Sequence, residues 1–284
     1  MSHQSCRFTW LLVLAACGPG GAPGTPSPGS DALAWAVPGT NPITYTIADT
    51  TAISMNMGGQ TMQIDAGSVA TLDLALAPAT EGNVSATVTF LDLEGRFSDP
   101  MGSTTTLSAA DLPGPARLTV GSTGEVTLNE VPEMTAAALQ VLGSESTFKR
   151  LFQPLPGRIV PPGTQWMDTV RTVDVNEGIR ATTTSVVRST LIGDTAVDGR
   201  RLMVIRSETE MTTTVAGNAQ GFEIRQNLTG TSEGLTLWDP ALGAVHERRE
   251  VAQLNGTMEM PAMNMTGIPV DYVNRTVMRR TPGG

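Results

Sequence analysis

Alternating polar and apolar residues, interrupted by short turns, constrain the fold of this chain more than any other feature. Beyond Ile43 the sequence is rich in Thr and Val, and turn-forming Gly, Asn and Asp recur roughly every 10 to 20 residues, as is typical of antiparallel strands. Gly58-Gly59 and Gly121–Gly124 have the composition of hairpin turns. The N-terminal part therefore predicts strands at 43–48, 52–57, 61–65, 69–76, 84–93, 117–120 and 125–128.

The C-terminal part predicts a meander of longer strands. In segment 201–215 one face contains Met203, Ile205 and Met211, whereas the other contains charged residues such as Glu208 and Glu210. This pattern indicates a sheet with one solvated face and one covered face. The predicted strands are 164–175, 179–192, 201–215, 222–230, 235–238, 244–254 and 270–280.

A helical signal separates the two strand-rich parts. Residues 132–142 have Pro and Glu in the first turn, followed by alanines, and Gly143 would end such a helix. A second helical turn is expected at 146–152, before a Pro-rich break at 154–163. The sequence thus predicts an α+β fold that is mainly β: curved antiparallel sheets of long meander strands, packed on a short central helical segment. We expect a single β-rich domain over 43–281, and two halves joined by helix 132–152 stay an open alternative.

The N-terminus has the features of an export signal. Residues 8–16 form an apolar stretch too short to span a bilayer, and they follow a short segment that contains Arg7. The motif Leu14-Ala15-Ala16-Cys17 resembles the lipobox of bacterial lipoproteins. The resemblance implies that residues 1–17 are signal peptide and lipobox, that Cys17 is the first mature residue, and that acyl chains such as palmitate attach there. An ordinary cleaved signal peptide is the alternative.

The segment after Cys17 is consistent with anchoring. Residues 18–42 are dominated at their start by Gly and Pro, which is typical of a tether. In a lipoprotein, Gly18 instead of aspartate implies the outer membrane, facing the periplasm. The expected partners are then the membrane, through the acyl chains, and a hydrophobic ligand or an envelope protein.

Composition argues against several classes of function. The formal net charge is -9, which disfavours nucleic-acid binding, since that draws on Lys and Arg. Both cysteines lie at the N-terminus: Cys6 would be removed with the leader, and a lipidated Cys17 would have no free thiol. His246 would be the only histidine of the mature protein. Because no GxSxG motif accompanies that histidine, we expect no enzymatic activity and no cofactor.

Three segments resemble a family of bacterial lipoproteins of unknown function. They are LPGRIVPPGTQW at 155–166, GTSEGLTLWDPALGAV at 230–245 and MGGQTM at 57–62. The layout is also similar to the helix-plugged half-barrels of periplasmic lipoprotein carriers. These resemblances imply an envelope protein that binds a hydrophobic ligand, although a structural or assembly role in the envelope is the alternative.

Methionine is unusually concentrated in two places. Met55 and Met57 flank one residue, as do Met258 and Met260, and residues two apart on a strand lie on the same face. Such thioethers could bind Cu(I), which makes these four the copper candidates. The alternative is that methionine, as an adaptable apolar residue, lines a groove.

Residues 174–178 (DVNEG) faintly resemble a calcium-binding loop. They lack the spacing of ligands and the final glutamate of that motif, and a hairpin turn explains their composition better. We therefore predict a turn here and no metal ligand.

Overall fold

The computed structural model describes residues 31–39, 41–98, 103–176, 178–219 and 222–281. Within these ranges the chain forms two short α-helices, α1 (Ala136–Leu142) and α2 (Ser146–Lys149). Short 3₁₀ turns occur at Thr80–Gly82, Ala109–Asp111 and Pro261–Met263. The strands are β1 (Ile43–Met57), β2 (Gln60–Pro78), β3 (Val84–Ser98), β4 (Thr104–Leu107), β5 (Ala116–Val120), β6 (Val126–Glu130), β7 (Gln165–Asn176), β8 (Ile179–Val197), β9 (Arg200–Ala219), β10 (Phe222–Asp239), β11 (Ala244–Met260) and β12 (Met265–Arg280).

All of these strands belong to one open, curved, antiparallel sheet. Its order is β6-β5-β3-β2-β1-β12-β11-β10-β9-β8-β7, with β4 paired to β3. The first and last strands of the chain pair at the centre, so β6 and β7 are the two edges, and the helices lie between them in the sequence. The predicted class, α+β with a dominant curved sheet on a short helical segment, is confirmed.

Several predicted strands are longer than the sequence suggested. Segments 43–48 and 52–57 form the single strand β1, 61–65 and 69–76 form β2, and 222–230 and 235–238 form β10. The separate segments predicted there are therefore wrong. The interruptions contain polar residues that face the interior of the fold, such as Asp49, Ser68 and Ser232. These residues pair with neighbouring strands instead of ending their own.

The helical segment is shorter than predicted. Helix α1 begins at Ala136 because Thr135 is its N-cap: the Thr135 hydroxyl accepts a hydrogen bond from the backbone N–H of Ala138, 3.1 Å away. Gly143 ends the helix with a φ of 76°, as predicted. Residues 132–134 therefore precede the helix, and α2 covers only the first four residues of the predicted second turn.

Aromatic residues close one end of the fold. Trp35 is fully buried, and its ring lies 5.0 Å from that of Trp238 and 4.9 Å from that of Phe152, both edge-on. The Trp35 indole N–H donates a hydrogen bond to the carbonyl of Gln153. The ring of Phe148, in α2, similarly packs on Phe90 of β3. The two helices, the segment around Trp35 and the loop that contains Phe152 and Gln153 thus plug this end of the sheet.

The same helical segment covers the edge strand β7. The Asp174 carboxylate accepts hydrogen bonds from the backbone N–H groups of Ser144, Glu145 and Ser146, with N···O distances of 2.8, 2.8 and 3.1 Å. In return, the Glu145 carboxylate accepts from the Val173 N–H, 2.6 Å away. These bonds satisfy edge groups that could otherwise pair with another chain. Helix α1 also contacts β2, β3 and β4, which lie in the other half of the sheet. The helices therefore bridge the two halves of the curved sheet.

Two glycines permit a close approach of neighbouring strands. A Cβ atom on Gly230 of β10 would collide with the backbone of β11 at Gln253, and a Cβ on Gly256 of β11 would collide with the backbone of β10 at Asn227. Glycine is therefore required at both positions, which lie away from the helices.

Candidate ligand-binding site

The inner face of the sheet, which carries the hydrophobic core, has three zones along the strands. At the plugged end lies the core cluster, which includes Trp35, Leu72, Ile205 and Trp238. At the other end lies a separate apolar cluster built on Met55 and other methionines. Polar side chains occupy the inner face between them, so the face is apolar, polar and apolar in turn.

The methionine cluster forms where the tips of two hairpins meet β9 and β10. Its buried members are Met55, Leu228, Ala252, Leu254, Met258, Ile268 and Val270. Partly buried residues pack against them: Ile53, Met57, Met62, Ile64, Met211, Ile224, Met260, Met265 and Tyr272. No residue of α1 or α2 belongs to this cluster, whereas Leu142 and Phe148 belong to the core cluster.

The structure brings the four predicted copper candidates into this cluster. Met55 and Met258 are 7% and 9% exposed, and Met57 and Met260 pack beside them. Met211 also packs against the cluster but was not among the four candidates, although its inward position in the alternating segment 201–215 was a usable signal. Met263, in contrast, is 44% exposed and lies outside the cluster.

The strand pairing defines the polar belt between the two clusters. One row across the sheet is Ser68, Asp49, Thr276, Glu250, Gly234, Ser207 and Ser189. The adjacent row is Thr51, Asn274, Ala252, Ser232 and Thr209. Residues that pair directly across antiparallel strands lie on the same face, so these side chains form a continuous band.

Each of the two carboxylates in the polar belt accepts a hydrogen bond from a hydroxyl group within the belt. The Thr276 hydroxyl donates to Asp49, and the Ser232 hydroxyl donates to Glu250, 2.8 Å away. The Asn274 amide donates to the Thr51 hydroxyl at 3.0 Å. Hydrogen bonds between its own side chains therefore hold the belt in place.

Arg248 lies at the border of the belt and the core cluster, and it has no such partner. The residue is 9% exposed, and its Nε is buried without a hydrogen-bond partner among the described residues. None of the ion pairs in the described part of the chain includes it. Burial lowers the pKa of Arg248; Glu250 opposes this and the positive charge of Arg150 adds to it.

Arg150 approaches the belt from the helical side. It follows α2 directly, the residue is exposed, and its Nε donates a hydrogen bond to the backbone carbonyl of Ser146, 3.3 Å away. Desolvation by the surrounding protein disfavours its charged form, but the negative charges of Asp49, Glu250 and Asp174, together with Tyr272, more than offset this and raise the pKa of Arg150. These four groups lie on β1, β11, β7 and β12.

A separate open cleft of about 510 Å³ lies at the β7–β9 edge of the sheet. Gln165, Met167, Arg188 and Glu208 are among its lining residues, and Arg188 forms a surface ion pair with Glu210 nearby. The cleft contains no member of the methionine cluster.

His246 occupies β11 at intermediate exposure. Its Nδ1 is buried without a hydrogen-bond partner among the described residues. Burial lowers the pKa of His246, and the positive charge of Arg280 adds to this effect. Residues 1–30, including Cys17, lie outside the described residues.

The hairpin turn predicted at 174–178 is confirmed. Asn176 at the end of β7 pairs directly with Ile179 at the start of β8, and Gly178 adopts a φ of 84°. The Asp174 carboxylate is occupied by the backbone N–H groups at the start of α2.

The residues that the structure describes contain no group of three or more His, Cys, Asp or Glu side chains placed to hold a metal ion. Within the same residues, no helix combines the length and the apolar character needed to cross a membrane.

No family model matches this sequence, and no curated protein matches it. Among solved structures, a Bacteroides fragilis protein described as exported and as having a YmcC-like fold is 8% identical, with a TM-score of 0.27 over 88% of this chain and 100% of that one. OccK5 (OpdH) of Pseudomonas aeruginosa is 8% identical, with a TM-score of 0.26 over 84% and 99%. A DUF1329 family protein from Desulfovibrio piger is 9% identical, with a TM-score of 0.16 over 84% and 87%. Similarity this low supports no functional argument, and the lipoprotein family resemblance stays a prediction.

Proposed function

We propose that this protein is a non-enzymatic binding protein of the bacterial cell envelope that holds a hydrophobic ligand against the methionine cluster. The observation that supports the proposal is the composition of this cluster on the inner face: it contains no residue of α1 or α2, whereas the core cluster contains Leu142 and Phe148. Methionine side chains are flexible and polarisable, so they can adapt their packing to an incoming chain. Apolar surface with few polar groups is also what small-molecule sites commonly present.

The neutral fluorescent probe N-phenyl-1-naphthylamine tests this proposal. We expect its fluorescence to rise when it binds the wild-type protein, and to rise much less with Met62→Asp, which places a charge in the methionine cluster. Met167→Asp is the matched control, since Met167 is 65% exposed and lies outside the cluster. Absence of probe binding to the folded wild-type protein, or equal loss in both variants, would contradict the proposal.

Copper binding is the second candidate, because Met55, Met57, Met258 and Met260 lie in one cluster. Thioethers are ligands that Cu(I) prefers. Titration with Cu(I) against a competing chelator should show a site in the wild-type protein and none when these four residues are changed to Leu. Identical titration curves would exclude this function.

The envelope location rests on Cys17. We expect an alkyne analogue of palmitate to label the wild-type protein in a bacterial host, and Cys17→Ala to abolish the label. Labelling of the Cys17→Ala protein would contradict anchoring at this residue. This experiment is independent of what the β-rich domain binds.

A further inference from the structure

We propose that the ligand is an anionic amphiphile, a single long chain with a carboxylate or phosphate head group. The head group binds the buried guanidinium group of Arg248, with Arg150 as a second, exposed positive charge on the helical side, and the chain extends over the methionine cluster. This inference rests on the proposed function, because it requires a hydrophobic chain on that cluster.

The buried Nε of Arg248 has no hydrogen-bond partner among the described residues. A buried guanidinium is stable mainly when carboxylates or other acceptors satisfy its donors, and a buried unpaired one is costly. The side chain is about nine-tenths buried, yet its Nε lacks a partner in the described part of the chain. An anionic oxygen would supply the acceptor that this guanidinium lacks.

The carboxylates nearest to Arg248 form no ion pair with it. Asp49 and Glu250 accept hydrogen bonds from Thr276 and Ser232, and neither is within ion-pair distance of Arg248 among the described residues. A bound anion would supply the paired acceptor that these two carboxylates do not provide. Because guanidinium groups bind carboxylates and phosphates through paired N–H donors, the site favours these two head groups.

Strand β11 runs from Arg248 to the methionine cluster. Arg248, Ala252, Leu254 and Met258 share one face of this strand, because they are separated by even numbers of residues. From Arg248 to Leu254 the strand rises about 20 Å, and it continues to Met258. A head group at Arg248 thus directs a chain across the belt into the methionine cluster, provided that the chain is long.

Competition between the fluorescent probe and paired ligands tests the inference. Oleate and oleyl alcohol have the same chain and differ in charge, so we expect oleate to displace the probe at about tenfold lower concentration. Arg248→Met should remove this advantage and leave oleyl alcohol unchanged. Arg249→Met is the matched control: Arg249 points to the opposite face, where it pairs with Glu247, and its loss should change neither ligand.

One more variant and two more competing ligands separate what the head group and the chain each contribute to binding. Arg150→Met should weaken oleate binding by about threefold, less than Arg248→Met, because Arg150 is exposed and water screens its charge. Dodecyl phosphate should behave as oleate does. Acetate should not compete, and competition by acetate as strong as that of oleate would show a free-anion site and overturn the amphiphile inference.

The outcomes distinguish failure of this inference from failure of the proposed function. If neither oleate nor oleyl alcohol binds the folded protein, the proposed function itself fails. If both bind equally well, or if Arg248→Met weakens both equally, only the head-group assignment fails. Circular dichroism and thermal unfolding establish that Arg248→Met is folded. Should it not fold, Arg248→Lys replaces it, since this variant keeps the charge but loses the paired donors, and we then expect a partial loss for oleate only.

Discussion

The two ends of the inner face differ in what covers them and in which side chains they use. The core cluster is covered by α1, α2 and the segment around Trp35, and it contains rigid aromatic rings packed edge to face. The methionine cluster has no helical member and consists of flexible side chains at hairpin tips. We therefore expect the plugged end of the sheet to contribute most of the stability, and the methionine end to be an apolar surface whose side chains can repack.

Trp35→Ala, at the plugged end, should produce the largest loss of stability. The variant leaves a cavity between Trp238 and Phe152 and removes the hydrogen bond to Gln153. We expect the free energy of unfolding in urea to fall by about 4 kcal/mol. Trp35→Phe, which keeps a ring, should lose less. A loss below about 1 kcal/mol for Trp35→Ala would mean that the plugged end does not provide the stability.

Asp174→Ala tests how firmly the helical cover is attached. The carboxylate accepts three backbone N–H donors at the start of α2, and their loss should reduce the free energy of unfolding by about 2 to 3 kcal/mol. Asp174→Asn keeps the Oδ1 acceptor and should cost about 1 kcal/mol. Equal losses for the two variants would show that the acceptor is unimportant. Hydrogen exchange should place the increased opening in 144–149.

Met258→Ala tests how much the methionine cluster contributes to stability. Although Met258 is 9% exposed, its neighbours are flexible methionines that can move into the vacated space, so we expect a loss of about 2 kcal/mol in urea unfolding, half that of Trp35→Ala. Met258→Leu conserves volume and should cost less than about 1 kcal/mol. A loss for Met258→Ala that equals or exceeds that of Trp35→Ala would make the methionine end a rigid core.

His246 should produce the smallest effect, and only in acid. Its pKa is lower in the folded protein than the unfolded value of about 6.5, because burial and Arg280 disfavour the charged form. The unfolded chain therefore binds the proton first as the pH falls, and the free energy of unfolding decreases below about pH 6.5. His246→Gln should reduce the difference in stability between about pH 7.5 and about pH 5.5. An unchanged difference would contradict the lowered pKa.

Local patterns were sufficient for most of the secondary structure. The Gly58-Gly59 turn, the stop at Gly143 and the outward charges of 201–215 were all predicted correctly, since turns, caps and alternation depend on near neighbours. The predicted breaks at 49–51, 66–68 and 231–234 were wrong for one common reason. In each case the strand crosses the polar belt, through Asp49, Ser68 or Ser232, and only the pairing with other strands shows that these inward-facing polar residues have neighbours there.

The sequence by itself determined a β-rich chain with a short helical interruption, and it identified the two methionine-rich segments. Only the tertiary structure decided that these segments meet, because β1 and β12 pair at the centre of the sheet although they begin and end the described strands. It also decided that the Nε of Arg248 is buried without a hydrogen-bond partner among the described residues, whereas the neighbouring Arg249 pairs with Glu247 on the outer face. Partners of this kind are set by strand order and curvature, which no local pattern of residues encodes.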